Sequence, residues 1–138
     1  MIAETNPPVR ICLLGSFRVL SRGSPVMIRP GSKTEALLSS LALHERCSAS
    51  REWLLEALWP DSDIGHAASA LTSLIHAIRK LLTTALGGQP PIIGMAGGYQ
   101  LNVGAGVAVD VLEFDELLRK ADRRRHAAGT SGGRVQSP

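Results

Sequence analysis

The stretch HAASALTSLIHAIRKLL, residues 66–82, decides the fold. Its apolar residues recur at helical spacing, which predicts a helix with one buried stripe. That stripe consists of Leu71, Leu74, Ile75, Ile78, Leu81 and Leu82. The opposite face carries small polar and basic side chains, namely Ser69, Thr72, Ser73, His76 and Lys80, with Arg79 at its edge. The division predicts a helix that packs on a core with one side and offers the other to a partner.

Two shorter helices are predicted immediately upstream. Ser32, followed three residues later by Glu35, fits a capping box and predicts a helix over 33–44. Ser50 is a favourable N-cap for a second helix over 51–59, which ends before Pro60. Residues 61–65 then form a loop before the third helix.

Segments typical of β-strands flank these helices. Residues 9–20, broken by Gly15-Ser16, predict two strands, and residues 26–28 a third. Residues 92–93 and 99–103 predict a hairpin around the glycine-rich turn 94–98. Strands, three helices and a hairpin are the plan of a winged helix-turn-helix, whose third helix enters the DNA major groove. We therefore predict the α+β class, with an N-terminal antiparallel sheet, a three-helix core and a C-terminal hairpin wing.

The composition excludes several other classes of protein. The 138 residues suffice for about one domain, and with 44% hydrophobic but only 4% aromatic residues the core must be aliphatic. No apolar run reaches the ~18 residues that a membrane span needs, and no secretory signal is visible. Two cysteines, Cys12 and Cys47, are too few for a disulfide framework. We predict a cytoplasmic protein with reduced thiols and with Cys12 in the core.

The positive charge is concentrated at the C-terminus. From Arg119 onward the chain holds six basic residues and one acid, whereas the preceding part holds nine bases and eleven acids. The net charge of +3 is therefore not by itself an argument for nucleic-acid binding. The predicted organisation is a flexible lead-in over 1–8, a winged-helix domain over 9–104, a linker and the start of a following helical domain over 105–122, and a disordered basic tail over 123–138.

Catalytic and metal-binding patterns are not found in the sequence. The four histidines, at positions 44, 66, 76 and 126, lack metal-ligand spacing. The glycines at 94–98 open a strand and not a helix, so they lack the helix N-terminus that binds phosphate. Asp61 and Asp63 lack the rest of a calcium loop. We predict a non-enzymatic protein without metal, cofactor or small-molecule ligand.

Four motifs in order resemble one family. They are KTEALL (33–38), SREWLLEALWPD (50–61), IHAIRKLL (75–82) and GGYQL (97–101). Together they resemble the OmpR/PhoB-type winged-helix domain, and most closely that of the antibiotic regulatory proteins (the SARP family). In that family a helical bacterial transcriptional activation domain (BTAD) follows, and VDVLEFD (109–115) resembles the junction into it. The resemblance covers about residues 9–121.

The resemblance implies a transcription regulator, an activator, that binds promoter DNA. The bases would be read by the exposed face of the third helix, at Ser69, Thr72, Ser73 and His76. Phosphates would be engaged by the basic residues Lys33, Arg51, Arg79 and Lys80, of which Arg79 and Lys80 could instead brace the helix. The wing would use Met95 and Tyr99, and the loop residues Asp61, Ser62 and Asp63 could touch RNA polymerase. A fourth N-terminal strand would lie within residues 9–28 or near Cys47.

Three positions depart from the family pattern. Ala77, Met95 and Gln100 stand where many relatives carry positive charge. Because phosphate contacts supply much of the affinity for DNA, we expect the isolated domain to bind DNA weakly. A homodimer on direct repeats would bind more tightly. The departures also leave open an alternative in which the domain is a protein-interaction module with an uncharged wing. An exposed Met95 and Ile92 would favour that alternative, and a continuous positive stripe would favour DNA.

Overall fold

Seven strands and four helices follow one another in the part of the chain that the structure describes. The structure, a computed structural model, describes residues 7–131, with side chains to residue 127. Its elements are β1 (Val9–Cys12), β2 (Arg18–Ser21), β3 (Ser24–Pro25), α1 (Lys33–Leu43), β4 (Ser48–Ser50), α2 (Arg51–Leu58), α3 (Ile64–Leu82), β5 (Ile92–Met95), β6 (Gly98–Leu101), β7 (Val107–Val109) and α4 (Asp110–Ser131). The predicted α+β class, with strands, three helices and a hairpin in that order, is confirmed.

The N-terminal sheet has four strands in the order β3-β2-β1-β7. β1 pairs antiparallel with β2, with Ile11 opposite Val19, and parallel with β7, with Ile11 opposite Val109. The fourth strand therefore comes from the C-terminal side of the hairpin and not from either predicted place. Parallel strands must be joined by a long crossover, and here the crossover contains all three core helices. No local sequence pattern therefore predicts the pairing of β1 with β7.

The predicted third strand over 26–28 is wrong. The strand β3 covers only Ser24–Pro25, and one further hydrogen bond joins the Val26 amide to the Val19 carbonyl at 2.8 Å. Val26 and Ile28 are still half-buried and pack against the core. Their alternating apolar pattern thus reflects packing, although the pairing with β2 has already ended.

The helix starts follow the predicted caps, with one shift. Ser32 Oγ accepts from the Glu35 amide at 3.3 Å, and Ser50 Oγ accepts from the Trp53 amide at 3.0 Å. The helix α3 begins at Ile64, two residues before the predicted start. The reason is Asp63, whose Oδ1 accepts from the His66 amide at 2.8 Å and so caps the helix.

The helix α3 contributes much of the hydrophobic core. Ala67, Leu71, Ile75, Ile78 and Leu82 of this helix are buried, and Leu74 is half-buried. Leu81, predicted in the same stripe, is 46% exposed. That part of the prediction is wrong because Leu81 lies about 100° around the helix from Leu82, beyond the edge of the buried face.

Both cysteines lie in the interior. Cys12 and Cys47 are each 2% exposed, as predicted for Cys12. Burial raises the pKa of the Cys47 thiol, because the charged thiolate is poorly solvated there. Among the described residues, no helix combines the length and the apolar character needed to cross a membrane.

Two carboxylates at the start of α4 form hydrogen bonds and an ion pair with β1 and the residues that follow it. Asp110 accepts from the amides of Leu13 and Leu14, at 2.8 and 3.0 Å, just beyond the end of β1. Glu113 pairs with Arg10 through both carboxylate oxygens, each at 3.1 Å. The start of α4 is thus held against β1 and the two residues that follow it.

The helix α4 also extends further than expected. It runs to Ser131, so residues 123–131 are helical where a disordered tail was expected. Exposed i,i+4 pairs such as Asp115–Arg119, at 2.9 Å, support its outer turns. The expectations for residues 1–6 and 132–138 fall outside the described residues.

Replacing Asp110 by alanine should lower the free energy of unfolding by about 2 kcal/mol, because it removes two charge-assisted hydrogen bonds. Asp110→Asn retains one acceptor oxygen, so its free energy of unfolding should lie between those of wild type and Asp110→Ala. Urea unfolding gives the stability, and hydrogen exchange should speed up at the Leu13 and Leu14 amides. The control is Asp115→Ala, which removes an exposed ion pair on the same helix and should cost under about 0.5 kcal/mol. Equal effects of the two alanine variants would contradict the assignment.

Candidate nucleic-acid interface

The helices α2 and α3 form a helix–turn–helix pair. The chain turns directly after α2, where the Ser62 amide donates to the Trp59 carbonyl at 3.3 Å, and α3 begins at Ile64. The buried stripe of α3 holds it on α1 and α2. Its outer face is left for solvent, and the predicted base-facing residues Ser69, Thr72, Ser73 and His76 are all exposed.

The hydroxyl groups on that face are not equivalent. Thr72 Oγ1 donates to the Ala68 carbonyl one turn earlier, at 3.1 Å. Within the described chain, the hydroxyls of Ser69 and Ser73 make no hydrogen bond. The two serines therefore keep a free donor for a ligand, whereas Thr72 does not.

Arg79 connects the helix to the wing. Its side chain is half-buried, and Nε donates to the Ile92 carbonyl in β5 at 3.1 Å. This contact is the bracing role that the resemblance offered as one of two options. The contact uses one of the five guanidinium donors, so the remaining N–H groups are still able to meet a phosphate.

Lys33 likewise has a partner within the protein. Its ammonium donates to the Leu58 carbonyl at the last residue of α2 and lies 5.5 Å from the centre of the Trp59 ring. A cation at a helix C-terminus stabilises the last carbonyls and the helix dipole. Lys33 therefore connects the start of α1 to the end of α2. The sequence alone did not indicate this contact.

Arg51 and Lys80 are two further basic residues with exposed side chains. Arg51 opens α2, and its backbone amide donates to the Gly97 carbonyl in the wing turn at 2.8 Å. Lys80 lies on the outer face of α3. Neither side chain has a hydrogen-bond or ion-pair partner in the part of the chain that the structure describes. Both charges are thus available to an anionic ligand.

The wing is a short hairpin with a third strand beside it. β5 and β6 pair with Met95 opposite Gly98, so Ala96 and Gly97 form the turn, and Gly97 has a φ of +78°. β4 pairs with the other edge of β6, in the order β4-β6-β5. Met95 is 47% exposed, and Tyr99 is half-buried against the core. Ile92 is fully buried.

Gly98 is a requirement of this sheet that sequence reasoning missed. A Cβ on Gly98 would lie 2.3 Å from the Ala49 carbonyl oxygen of β4. The adjacent glycines Gly97 and Gly98 were visible in the sequence, but only as a turn signal. The close approach depends on the pairing of β4 with β6, which joins residues far apart in the chain.

Gln100, one of the three expected departures from the family pattern, has an internal role. Its Nε2 donates to the Arg46 carbonyl at 3.0 Å. Arg46 and Cys47 both have left-handed backbone angles, with φ of +58° and +55°. Because this conformation is unfavourable for residues other than glycine, the hydrogen bond from Gln100 helps to hold the segment that leads into β4.

The loop between α2 and α3 exposes Asp61, Ser62 and Asp63. Asp63 is already engaged as the N-cap of α3, through the hydrogen bond to the His66 amide. Substituting Asp63 would therefore also affect the helix start, and only Asp61 and Ser62 are separable from the fold.

Comparison with known proteins points to regulators. No protein-family profile matches the chain. The chain is 27% identical over 126 residues to "Regulatory protein AfsR" of Streptomyces griseus, and 27% identical over 130 residues to the protein of the same name from Streptomyces coelicolor. These matches cover 91% and 90% of this chain but only 12% of each relative. The chain thus spans about an eighth of the length of these relatives, and the similarity supports a role in regulation.

Proposed function

We propose that this chain binds double-stranded DNA in a sequence-specific way, as the DNA-binding part of a transcriptional regulator. The observation behind the proposal is the outer face of α3, which is exposed along Ser69, Thr72, Ser73 and His76 and ends at the cation of Lys80. Such a helix fits the major groove, and small polar side chains bring its backbone close to the base edges.

The neighbouring elements suit the same ligand. The wing is joined to α3 through Arg79 and to α2 through the Arg51 amide, so a duplex on α3 would meet a hairpin of fixed position. Arg51 and Lys80 would contact phosphates directly, and Lys33 and Arg79 would do so with their remaining N–H groups. Met95 and Tyr99 would form the wing contact on the backbone or in the minor groove.

The wider assignment follows from this role. With few charges on the surface, binding would be weak for one copy and stronger for a homodimer on promoter direct repeats. Asp61 and Ser62, with the capping Asp63, would be available to RNA polymerase. Promoter binding would place the protein in the cytoplasm, with no enzymatic activity and no cofactor.

The helix α4 would begin a following helical domain. Its side chains Leu112, Phe114, Leu117 and Leu118 are 47–62% exposed, an unusual concentration of apolar surface on one helix. The winged-helix domain would then end with β7, which pairs with β1, and α4 would follow it directly. Full-length relatives eight times longer than the matched region are consistent with this arrangement.

The test is DNA binding at two salt concentrations. Lys80→Ala and Arg51→Ala should each weaken binding to every duplex tested, because they remove a phosphate contact. Each should also reduce the slope of log affinity against log salt concentration by about 0.9. Fluorescence anisotropy with labelled duplexes measures both quantities.

The matched controls are Lys120→Ala and Arg124→Ala on α4, which remove the same charges from exposed positions outside the surface. They should leave the slope unchanged. No DNA binding at low salt, or equal effects of surface and control variants, would refute the proposal. Either result would favour the alternative function of a protein-interaction module. Ile92 is buried, so the exposed pair Met95 and Ile92 that would favour such a module is not present.

A further inference from the structure

The hydrogen bond of Thr72 determines what this residue can offer to a ligand. A hydroxyl group has one proton, and the proton of Thr72 is donated to the Ala68 carbonyl at 3.1 Å. The side chain is nevertheless exposed on α3. It therefore presents a methyl group and an oxygen that can only accept.

The same hydrogen bond fixes the direction of the methyl group. A β-branched side chain has few χ1 rotamers in a helix, and the bond to the carbonyl four residues earlier selects one of them. The methyl group then occupies a different staggered position from the hydroxyl and points away from the Ala68 carbonyl. A fixed, exposed methyl group on such a helix is a defined apolar contact.

The rest of α3 has no amide side chain to read adenine by paired hydrogen bonds, and both of its basic residues have another role in the proposed complex. Arginine or lysine serves guanine in this way, and asparagine or glutamine serves adenine. The sequence of α3, IGHAASALTSLIHAIRKLL, contains neither amide side chain. Its arginine, Arg79, is half-buried and bonded to Ile92, and its lysine, Lys80, is assigned to a phosphate in the proposed complex. The direct readout left to the helix is by hydroxyl, imidazole and methyl groups.

We propose that Thr72 is a specificity-determining residue that reads thymine through its methyl group. In the major groove thymine is distinguished by its C5-methyl group, against which the methyl group of Thr72 would pack. The DNA site would then have a thymine at the position facing Thr72. This inference rests on the proposed DNA binding and deepens it.

The experiment uses the full chain and the tightest duplex recovered from a random double-stranded library. Each thymine of that duplex is replaced in turn by deoxyuracil, which removes the C5-methyl group and keeps every hydrogen-bonding group. At one thymine, wild type should lose about fourfold in affinity, the usual contribution of one buried methyl group.

Two variants separate the methyl group from the hydroxyl. Thr72→Ser removes the methyl group and keeps the hydroxyl, so it should bind the thymine and uracil duplexes equally. Thr72→Val keeps a methyl group and removes the hydroxyl, so it should retain the fourfold discrimination to within about a factor of two. Circular dichroism and thermal melting confirm that both variants keep the fold.

The outcomes distinguish this inference from the proposed function. If Thr72→Ser discriminates as wild type does, or if Thr72→Val loses the discrimination, the methyl group is not the reader and the inference is overturned. If no uracil substitution affects wild type, it is overturned as well, while DNA binding stands. If no duplex is bound at low salt, both proposals fail.

Discussion

Replacing Gly98 by alanine should destabilise the protein by about 3 kcal/mol and abolish its wing structure. The new Cβ would lie 2.3 Å from the Ala49 carbonyl oxygen and 3.0 Å from the Ser50 Cα, both backbone atoms of β4. Such a contact cannot be relieved by a side-chain rotation, so β4 must separate from β6. The hydrogen bond from the Arg51 amide to Gly97, next to the clash, would be disturbed with it.

Urea unfolding measures the loss of stability, and amide chemical shifts of residues 48–50 and 92–101 show whether it is confined to this sheet. Gly94→Ala is the matched control in the same hairpin. A Cβ on Gly94 would meet nothing within 4 Å, and its backbone does not require positive φ. Gly94→Ala should therefore change stability by under about 0.5 kcal/mol. Similar losses for the two variants would argue against the pairing of β4 with β6.

Replacing Leu71 by alanine should cost about 3–5 kcal/mol. Leu71 is fully buried at the centre of the stripe by which α3 packs on the core. Removing a buried leucine side chain loses its transfer free energy and leaves a cavity that the surroundings fill only partly. Since small domains are stable by only about 5–15 kcal/mol, much of the folded population would be lost at 37 °C.

Leu81→Ala is the control for this prediction. Leu81 lies on the same helix but is 46% exposed, so the same chemical change should cost about 1 kcal/mol or less. Thermal and urea unfolding of both variants provide the comparison. If Leu81→Ala were as damaging as Leu71→Ala, the helix would have to sit in a different rotation. The proposed DNA-facing surface would then be wrong as well.

Local sequence patterns were sufficient for most of the elements. The caps Ser32 and Ser50 placed the starts of two helices, and apolar spacing placed the third. The same spacing placed Ser69, Thr72, Ser73 and His76 on an exposed face. Caps and helical periodicity act over a few residues, so a sequence displays them directly. Their combined role in binding DNA stays a prediction.

The contacts between distant segments were decided by the tertiary structure. β7 pairs with β1 across the whole helical core, β4 joins the hairpin, and Asp110 binds the end of β1. These pairings depend on which strand edges and backbone N–H groups still lack hydrogen-bond partners once the helices have packed. That outcome cannot be read from neighbouring residues in the sequence. For the same reason the sequence predicted only a charge for Lys33 and left open whether Arg79 meets a phosphate or braces the helix. Their positions beside the α2 C-terminus and β5 followed from the packing of the whole chain.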